Sequence, residues 1–479
     1  MRTVVPVAVL AAAAALTAAA DDGPSLAYPP PKTLGPVGTY GANVQRAMTL
    51  MATSTPEKRN TVRVLFYGQS ITAQAWTAAV ARDLRARFPY ADLHIENRAI
   101  GGYTSNFLVK TAEADLYPAY PDLVVFHVYG PPAEYEAIIR RLRERTTADI
   151  FHATDHLTTI HNDHLDESPD PAKLTPANNP HRWQNHVFYP ELSRRYGTEL
   201  ADVRGLWRQY LKDHRLQVAD LLCDVIHPDA HGDYLMAEIV KAHLRHRPAL
   251  PTASWEGRVT THVVGTDVRW ENGRLSLPFD GNRVDLLFRP GQTGPAAGVR
   301  IDGKRPSEFP ELYLTTRAYN VVPADGKPVL LKVGAAAPKV VEEWTLTATK
   351  LSPDRPGFRY AVAGSVTGPD GEGESTRPFV SKSGRVAIEP GDFHTAVLAE
   401  ALRFHRADSL TVRWNVVPLF ADVAAPPPAR GREFDAPVTV AQGLTPGTHV
   451  LELTGGPDCP IEAVRVFRPP LRPAVTAAR

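Results

Sequence analysis

Cysteine is nearly absent: Cys223 and Cys459 are the two in a chain of 479 residues, so no disulfide framework holds this protein together and its stability must come from packed cores. Whether the two pair with each other is left open by the sequence. An excess of charge of one sign is absent as well. Lys and Arg number 53 and Asp and Glu 52, for a net charge of +1, and no basic run is interleaved with aromatics, which removes nucleic acid from the expected partners. Long apolar runs are missing after the first twenty residues, so the mature protein is expected to have no membrane span, which needs ~20 such residues. Long helices should be scarce, because proline (44) and glycine (33) are both frequent and favour loops, turns and short strands. What is present is ordinary globular composition, 43% hydrophobic and 22% charged, over a length that suits about three domains of ~150 residues.

The N-terminus carries Arg2, an alanine-rich apolar run over 4–16 and the small residues Ala18-Ala19-Ala20 before Asp21-Asp22. This is the pattern of a cleaved secretory signal over residues 1–20, and it points to a secreted or periplasmic protein. Residues 21–59 follow as a lead-in segment, and 32–59, polar and rich in turn residues, is expected to be solvated.

From 60 to 250 short apolar runs alternate with helical spacing. Residues 63–67 read as a strand, and Trp76, Val80, Leu84 and Phe88 recur every four residues on a helix. Strand-like runs follow at 93–95, 122–129 and 150–151, with Tyr135, Ile138, Ile139 and Leu142 on a helix between the last two. Two later helices turn Leu200, Val203, Leu206, Trp207 and Tyr210, then Met236, Ile239, Val240 and Leu244, inward. The unbroken apolar run at 123–129 suits a parallel strand buried on both faces, so the domain is expected to be a three-layer α/β/α sandwich with a parallel sheet.

After Pro248 helical spacing disappears and short strand-like runs separated by Gly, Pro, Asn or Asp suggest an all-β sandwich region. A strand after Phe279-Asp280-Gly281-Asn282 and another ending at Asp302-Gly303 open a fold that resembles galactose-binding-like sandwich modules. Their closing strand, preceded by a Pro-Gly turn, is met only at 444–451. The expectation is therefore a discontinuous β-sandwich over 255–340 and 433–470, interrupted by an inserted β domain over 341–432. Two consecutive sandwiches are the other arrangement, and the pairing of 449–453 distinguishes them.

The chemistry-bearing residues sit in the first domain. The first strand runs into Gly68-Gln69-Ser70-Ile71-Thr72 and then a helix, which puts Ser70 at the carboxyl end of a strand, where open α/β sheets bind ligands. A serine nucleophile needs a base, and the base an orienting carboxylate. Asp224-Val225-Ile226-His227-Pro228 offers both just before the last helix. Each motif alone is common; together, at the first strand and before the last helix of one domain, they are specific. His152, His156, His161 and His164 invite a metal reading, but no pattern fixes all four, so they are read as a polar loop that lines the cleft with Trp183 and Tyr189. No metal and no other cofactor is called for.

With these motifs the sequence resembles the SGNH (GDSL-type) serine hydrolases, particularly their carbohydrate acetylesterases, over about 60–247. Gly68-Gln69-Ser70 looks like the first block, with Gln69 where aspartate is usual. Asn97-Arg98-Ala99-Ile100-Gly101-Gly102 is similar to the second, and Asp224 with His227 to the fifth. The resemblance implies Ser70 as nucleophile, His227 as general base, Asp224 as its orienter, and the backbone N–H groups of Ser70 and Gly102 as oxyanion donors. The third block departs: Gly130-Pro131-Pro132 has proline where the asparagine donor belongs, so that donor is missing or replaced, by a side chain such as Tyr129 or Asn106. The expected function is a secreted esterase that removes acyl groups, foremost acetyl, from a polysaccharide or other acylated carbohydrate. A lipase or thioesterase with the same triad, and a non-catalytic carbohydrate-binding protein on a decayed hydrolase, are the alternatives.

Overall fold

Five parallel strands form the first sheet: β1 (Thr61–Gly68), β2 (Asp92–Asn97), β3 (Leu123–His127), β4 (Asp149–Ala153) and β5 (Glu199–Ala201), in the order β2-β1-β3-β4-β5. The computed structural model describes residues 28–167, 169–250, 256–324, 326–349, 357–428, 431 and 433–472. The expected signal over 1–20 lies outside the described residues. The eight helices that pack on this sheet or beside it are α1 (Gln45–Ala52), α2 (Ala75–Arg87), α3 (Ser105–Asp115), α4 (Pro132–Arg145), the single turn α5 (Pro180–Trp183), α6 (Tyr189–Tyr196), α7 (Val203–His214) and α8 (Ala230–His243).

Side-chain alternation along β1 decides the layers. Val62, Val64 and Phe66 enter one core with α1, α2, α7 and α8, while Leu65 and Tyr67 enter another with α3, α4 and α6. Period-two alternation on a strand covered on both faces yields a three-layer α/β/α sandwich. Strand order reverses between β1 and β3, so the loops after these two strands open a crevice at their carboxyl ends.

Two expectations for this domain need correction. The segment at 32–59 is not a solvated lead-in: Val44, just ahead of α1, and Ala47, Met48 and Met51 on it are buried at spacings of 3, 4 and 7. The Ala47 N–H at its start donates to Asp149 Oδ2 at 2.9 Å, and Gly41 N–H to Glu199 Oε1 at 2.7 Å. The helical spacing was in the sequence, but the surrounding turn residues masked it. Leu200 belongs to β5 and not to a helix, because α7 starts only after Asp202, whose side chain caps Gly205 N–H at 2.9 Å.

The β region holds two larger sheets. In one, Val423–Ala424, Ala297–Ile301, Ala436–Thr454, Arg274–Phe288, Ile461–Phe467 and Val259–Val263 lie in that order. Within it His449 pairs with Phe279, and Leu451 with both Leu277 and Ile301. Inward-facing residues of Arg274–Phe288 change from Leu275, Leu277 and Phe279 to Val284, Leu286 and Phe288. The change of phase falls where the partner register jumps from Gln442 to Gly447, a bulge that keeps one core lined on both sides of the bend. The other sheet runs Tyr313–Thr315, Leu410–Pro418, Glu342–Thr349, Arg359–Gly364, Gly368–Glu374, and Tyr319–Val322 also pairs with Leu410–Pro418. Its strands thus begin at Tyr313, ahead of position 341, because the outer edge of Leu410–Pro418 satisfies its backbone groups with these short segments. Among the described residues the region also contains the α-helix Thr395–His405, which turns Val397, Leu398 and Ala401 inward. Cys223 is free and exposed, and Cys459 is free and buried. No helix among the described residues is long and apolar enough to cross a membrane.

The docking of α1 is testable. Met48→Ala removes a fully buried side chain and is expected to lower unfolding free energy by about 2–5 kcal/mol, read by urea denaturation; a loss under ~0.5 kcal/mol, the usual range for a surface substitution, is the outcome for a solvated segment.

Candidate active site

The turn after β1 is tight enough to dictate its sequence. A Cβ on Gly68 would lie 2.1 Å from the His127 carbonyl oxygen and 2.3 Å from Thr72 Oγ1, and Thr72 Oγ1–H donates to that same carbonyl at 3.0 Å. This turn lifts Ser70 out of the sheet at the crevice between β1 and β3.

His227 meets Ser70 there. Its Nε2 lies 2.8 Å from Ser70 Oγ, and its Nδ1 lies 2.7 Å from Asp224 Oδ2. Asp224 Oδ1 accepts the backbone N–H groups of Ile226 at 2.7 Å and His227 at 2.6 Å. These two backbone bonds, joined by the one from the imidazole, hold the Asp224 carboxyl down at about 2, so it is an anion across the neutral range. An anion there takes Nδ1–H and leaves the Nε2 lone pair for the serine proton. The three side chains are open to solvent at one end: Asp224 is 50% exposed and His227 32%.

The loop that carries them is held from several sides. Cys223 N–H donates to the His227 carbonyl at 2.9 Å, and Ile160 N–H to the Val225 carbonyl at 3.2 Å. Gln74 Nε2 donates to the Pro228 carbonyl at 2.9 Å, tying the loop to the start of α2. His156 Nε2–H donates to the Ile226 carbonyl at 2.7 Å. Gly232, in the first turn of α8, has no room for a Cβ, which would lie 2.4 Å from the Leu221 carbonyl oxygen.

The second block folds against the serine. Ile100 N–H donates to the Gly68 carbonyl at 3.0 Å and Tyr103 N–H to the Ile100 carbonyl at 3.1 Å. Gly102, the third residue of that turn, has φ +81°, the left-handed conformation that favours glycine. A Cβ on Gly101 would stand 3.9 Å from Ser70 Cβ, so the turn lies beside the serine.

At the third block Gly130 has φ +135°, and a Cβ there would lie 2.5 Å from Ser105 Oγ. Pro131 caps α4 and Pro132 is its first residue, a position that loses nothing by lacking an N–H. The place of an asparagine amide is thus taken by the start of a helix. Tyr129, one candidate replacement, is half-buried against the α2 and α8 core, with its phenol pushed well up by desolvation and by nearby Asp155. Asn106, the other, accepts the Thr104 hydroxyl at 2.5 Å through its Oδ1. Gln184 Nε2 donates to the Gly130 carbonyl at 3.2 Å and to Tyr189 Oη at 2.9 Å.

The histidine-rich segment is not the cleft-lining loop expected. His152 is on β4 and fully buried, bonded to Tyr135 Oη at 3.1 Å and Thr198 Oγ1 at 2.8 Å. His156 is fully buried as well, and Tyr189 lies inside the core of the α3 and α4 face. His161 and His164 do lie on an exposed loop, His161 stacked on His181 at 3.9 Å. Periodicity on a short strand with polar residues is weak, so the sequence shows only the start of β4, Ile150-Phe151, and not that it runs on to Ala153. No group of three His, Cys, Asp or Glu among the described residues is placed to hold a metal ion.

No family model matches the chain, and no curated protein matches it. Solved structures similar to it include an α/β hydrolase enzyme from the metagenome of Lake Arreo, Spain, at 21% identity and a TM-score of 0.31, covering 38% of this chain and 94% of that one. An acetylxylan esterase from Geobacillus stearothermophilus matches at 18% identity and 0.32, over 40% of this chain and 96% of that one. A two-domain esterase active on acetylated mannans matches at 14% identity and 0.34, over 89% of this chain and 95% of that one. At such scores what the site can do has to be taken from its own atoms.

Burial of the histidines has a measurable consequence. It pushes His152 down to about 3 and His156 and His181 to about 4, against ~6.5 in an unfolded chain. Between about pH 4 and 6.5 the unfolded state therefore binds protons that the folded state refuses, and stability falls as pH is lowered through that window. Urea midpoints at pH 7, 5.5 and 4.5 are expected to decline in that order, and less steeply in His156→Gln.

Proposed function

We propose that this protein is a serine ester hydrolase of the SGNH (GDSL) type that removes small acyl groups, foremost acetyl, from a polysaccharide. The observation that carries the reading is the pair of contacts from one imidazole, 2.8 Å to Ser70 Oγ and 2.7 Å to Asp224 Oδ2. In this reading Ser70 Oγ attacks the ester carbonyl while His227 Nε2 takes its proton. The Ser70 and Gly102 N–H groups receive the developing oxyanion. His227 then returns the proton to the departing sugar oxygen, which leaves as a hydroxyl, and a water repeats the sequence on the acyl-enzyme.

The openness of the triad supports a bulky alcohol side with a short acyl group. Asp224 and His227 are a half and a third exposed, and Ile160 and Val225, 49% and 53% exposed, form a small apolar shelf next to Asp224 that suits the C–H face of a sugar ring. A long acyl chain would need an enclosed apolar site in which most of its surface is buried. Action outside the cytoplasm is part of the proposal and rests on the residues at 1–20.

Acetate release from acetylated plant and algal polysaccharides is the test. Ser70→Ala and His227→Ala are each expected to lower the rate by about 10⁴-fold or more with the melting temperature kept within a few degrees. Hydrolysis unchanged in Ser70→Ala, or preference for long-chain esters over acetyl esters, would overturn the reading.

A further inference from the structure

Within the α/β domain the 98–103 turn that presents Gly102 is tied to the end of β1 at its upstream half. Arg98 N–H donates to the Phe66 carbonyl at 2.9 Å, Ala99 N–H to Asn97 Oδ1 at 3.0 Å, Ile100 N–H to the Gly68 carbonyl at 3.0 Å and Tyr103 N–H to the Ile100 carbonyl at 3.1 Å, while the third-block donor that would share the oxyanion is replaced by Pro131-Pro132. Stabilisation of an oxyanion depends on donors fixed at 2.7–3.1 Å beforehand, and ~10²–10³ in rate is lost with one donor. Both ends of this turn are gripped by the β region. At the downstream end Tyr103, fully buried, donates its hydroxyl to the Pro328 carbonyl, and its ring lies 5.0 Å from that of His394. The Pro328 carbonyl is itself fixed: Asn320 Nδ2 donates to Lys327 O at 2.7 Å, Val329 N–H to Asn320 Oδ1 at 3.1 Å, and His394 N–H to Val329 O at 2.7 Å. At the upstream end Arg317 reaches both Asp115 carboxylate oxygens at 2.8 Å from Nε and the Arg98 carbonyl at 3.3 Å from Nη2. Arg98 in turn donates to the Asp115 carbonyl at 2.5 Å.

We propose that the β region is a working part of the catalytic apparatus: Arg317 and the Pro328 carbonyl, acting through Arg98 and Tyr103, hold the 98–103 turn so that the Gly102 N–H faces the Ser70 site. Arg317 and Tyr103 are positioning residues, and neither touches the substrate. This rests on the ester-hydrolase reading and assigns the sheet built on Leu410–Pro418 a duty separate from sugar binding.

The test uses the full chain, with the rate of Ser70 labelling by a fluorophosphonate and kcat and KM on an aryl acetate. Phosphorus bonds to Ser70 Oγ as His227 takes the serine proton and fluoride leaves, and the phosphoryl oxygen of the adduct occupies the oxyanion position whatever the natural substrate. Tyr103→Phe is expected to slow labelling and lower kcat about tenfold with KM within twofold. Arg317→Ala is expected to do the same, and Arg317→Lys, which keeps the charge on Asp115, to recover part of the loss. Lys110→Ala is the comparator: Lys110, on α3 seven positions beyond Tyr103, pairs with Asp392 at 3.1 Å across the same interface, so its labelling rate is expected to match the wild type even where its melting temperature drops. Wild-type labelling and kcat in Tyr103→Phe and Arg317→Ala, or an equal loss in Lys110→Ala, would overturn the positioning role while leaving the hydrolase reading intact. A wild-type chain that the probe never labels overturns both.

Discussion

The contact between His227 Nε2 and Ser70 Oγ joins positions 157 apart in the chain at 2.8 Å, and much of the α/β domain can be understood as the means of holding it. Ser70 is fixed by β1, the strand next to the point where strand order reverses, and His227 by the loop entering α8. The two meet because α2, which follows Ser70, packs on α8, which follows His227. That joint is polar as well as apolar: Asp233 on α8 accepts the Ala75 N–H at the start of α2 at 3.2 Å, and Gln74 donates to the Pro228 carbonyl at 2.9 Å. Burial raises the Asp233 carboxyl to about 6, so this connection is made in a partly desolvated place where an unpaired acceptor would be costly. The same packing that builds the core therefore sets the spacing of the proposed nucleophile and base.

Seven imidazoles in this domain illustrate how burial divides one residue type into separate duties. His227 is open to water on one side and has a carboxylate behind it. His152 and His156 are enclosed and held neutral, and they serve as neutral hydrogen-bonding groups: His152 bridges Tyr135 and Thr198, and His156 supports the Ile226 carbonyl under the base. His127 lies 3.4 Å from Asp155 in the same buried layer, with His181 at 3.7 Å from that carboxylate. His243 donates toward Glu199, which also receives the Gly41 N–H and so anchors the segment before α1. His161 alone of the seven is an exposed side chain, stacked on His181.

The β region meets the α/β domain at two seats of different character. The sheet containing Arg274–Phe288 turns a polar face to it, with Asn282 bonded to Tyr120 and Arg145 and Arg283 lying 4.9 Å over the Tyr120 ring. The sheet built on Leu410–Pro418 instead shares an apolar core with α3 and α4, in which Trp344 and Trp414 are continuous with Leu108 and Ala112. An apolar seat of this kind resists relative motion more than a polar one, and it is the seat that adjoins the turn at Gly102.

Local sequence was enough for much of this. Period-four and unbroken apolar runs gave α2 and β3, and Gly68-Gln69-Ser70 with Asp224 and His227 could be picked out, because backbone periodicity and tight turns are properties of neighbouring residues. The spacing of Val44, Ala47, Met48 and Met51 was equally readable but was outweighed by the turn residues around it. What could not be read were β4 beyond Phe151, the burial of His156 and Tyr189, the sheet membership of Tyr313–Thr315, and the hold of Arg317 and Pro328 on the oxyanion turn. Each depends on which distant segment covers a given side chain or backbone edge. Hydrogen bonds between positions 98 and 317, or 103 and 328, leave no periodic trace in either segment, and only the packed tertiary structure brings them together.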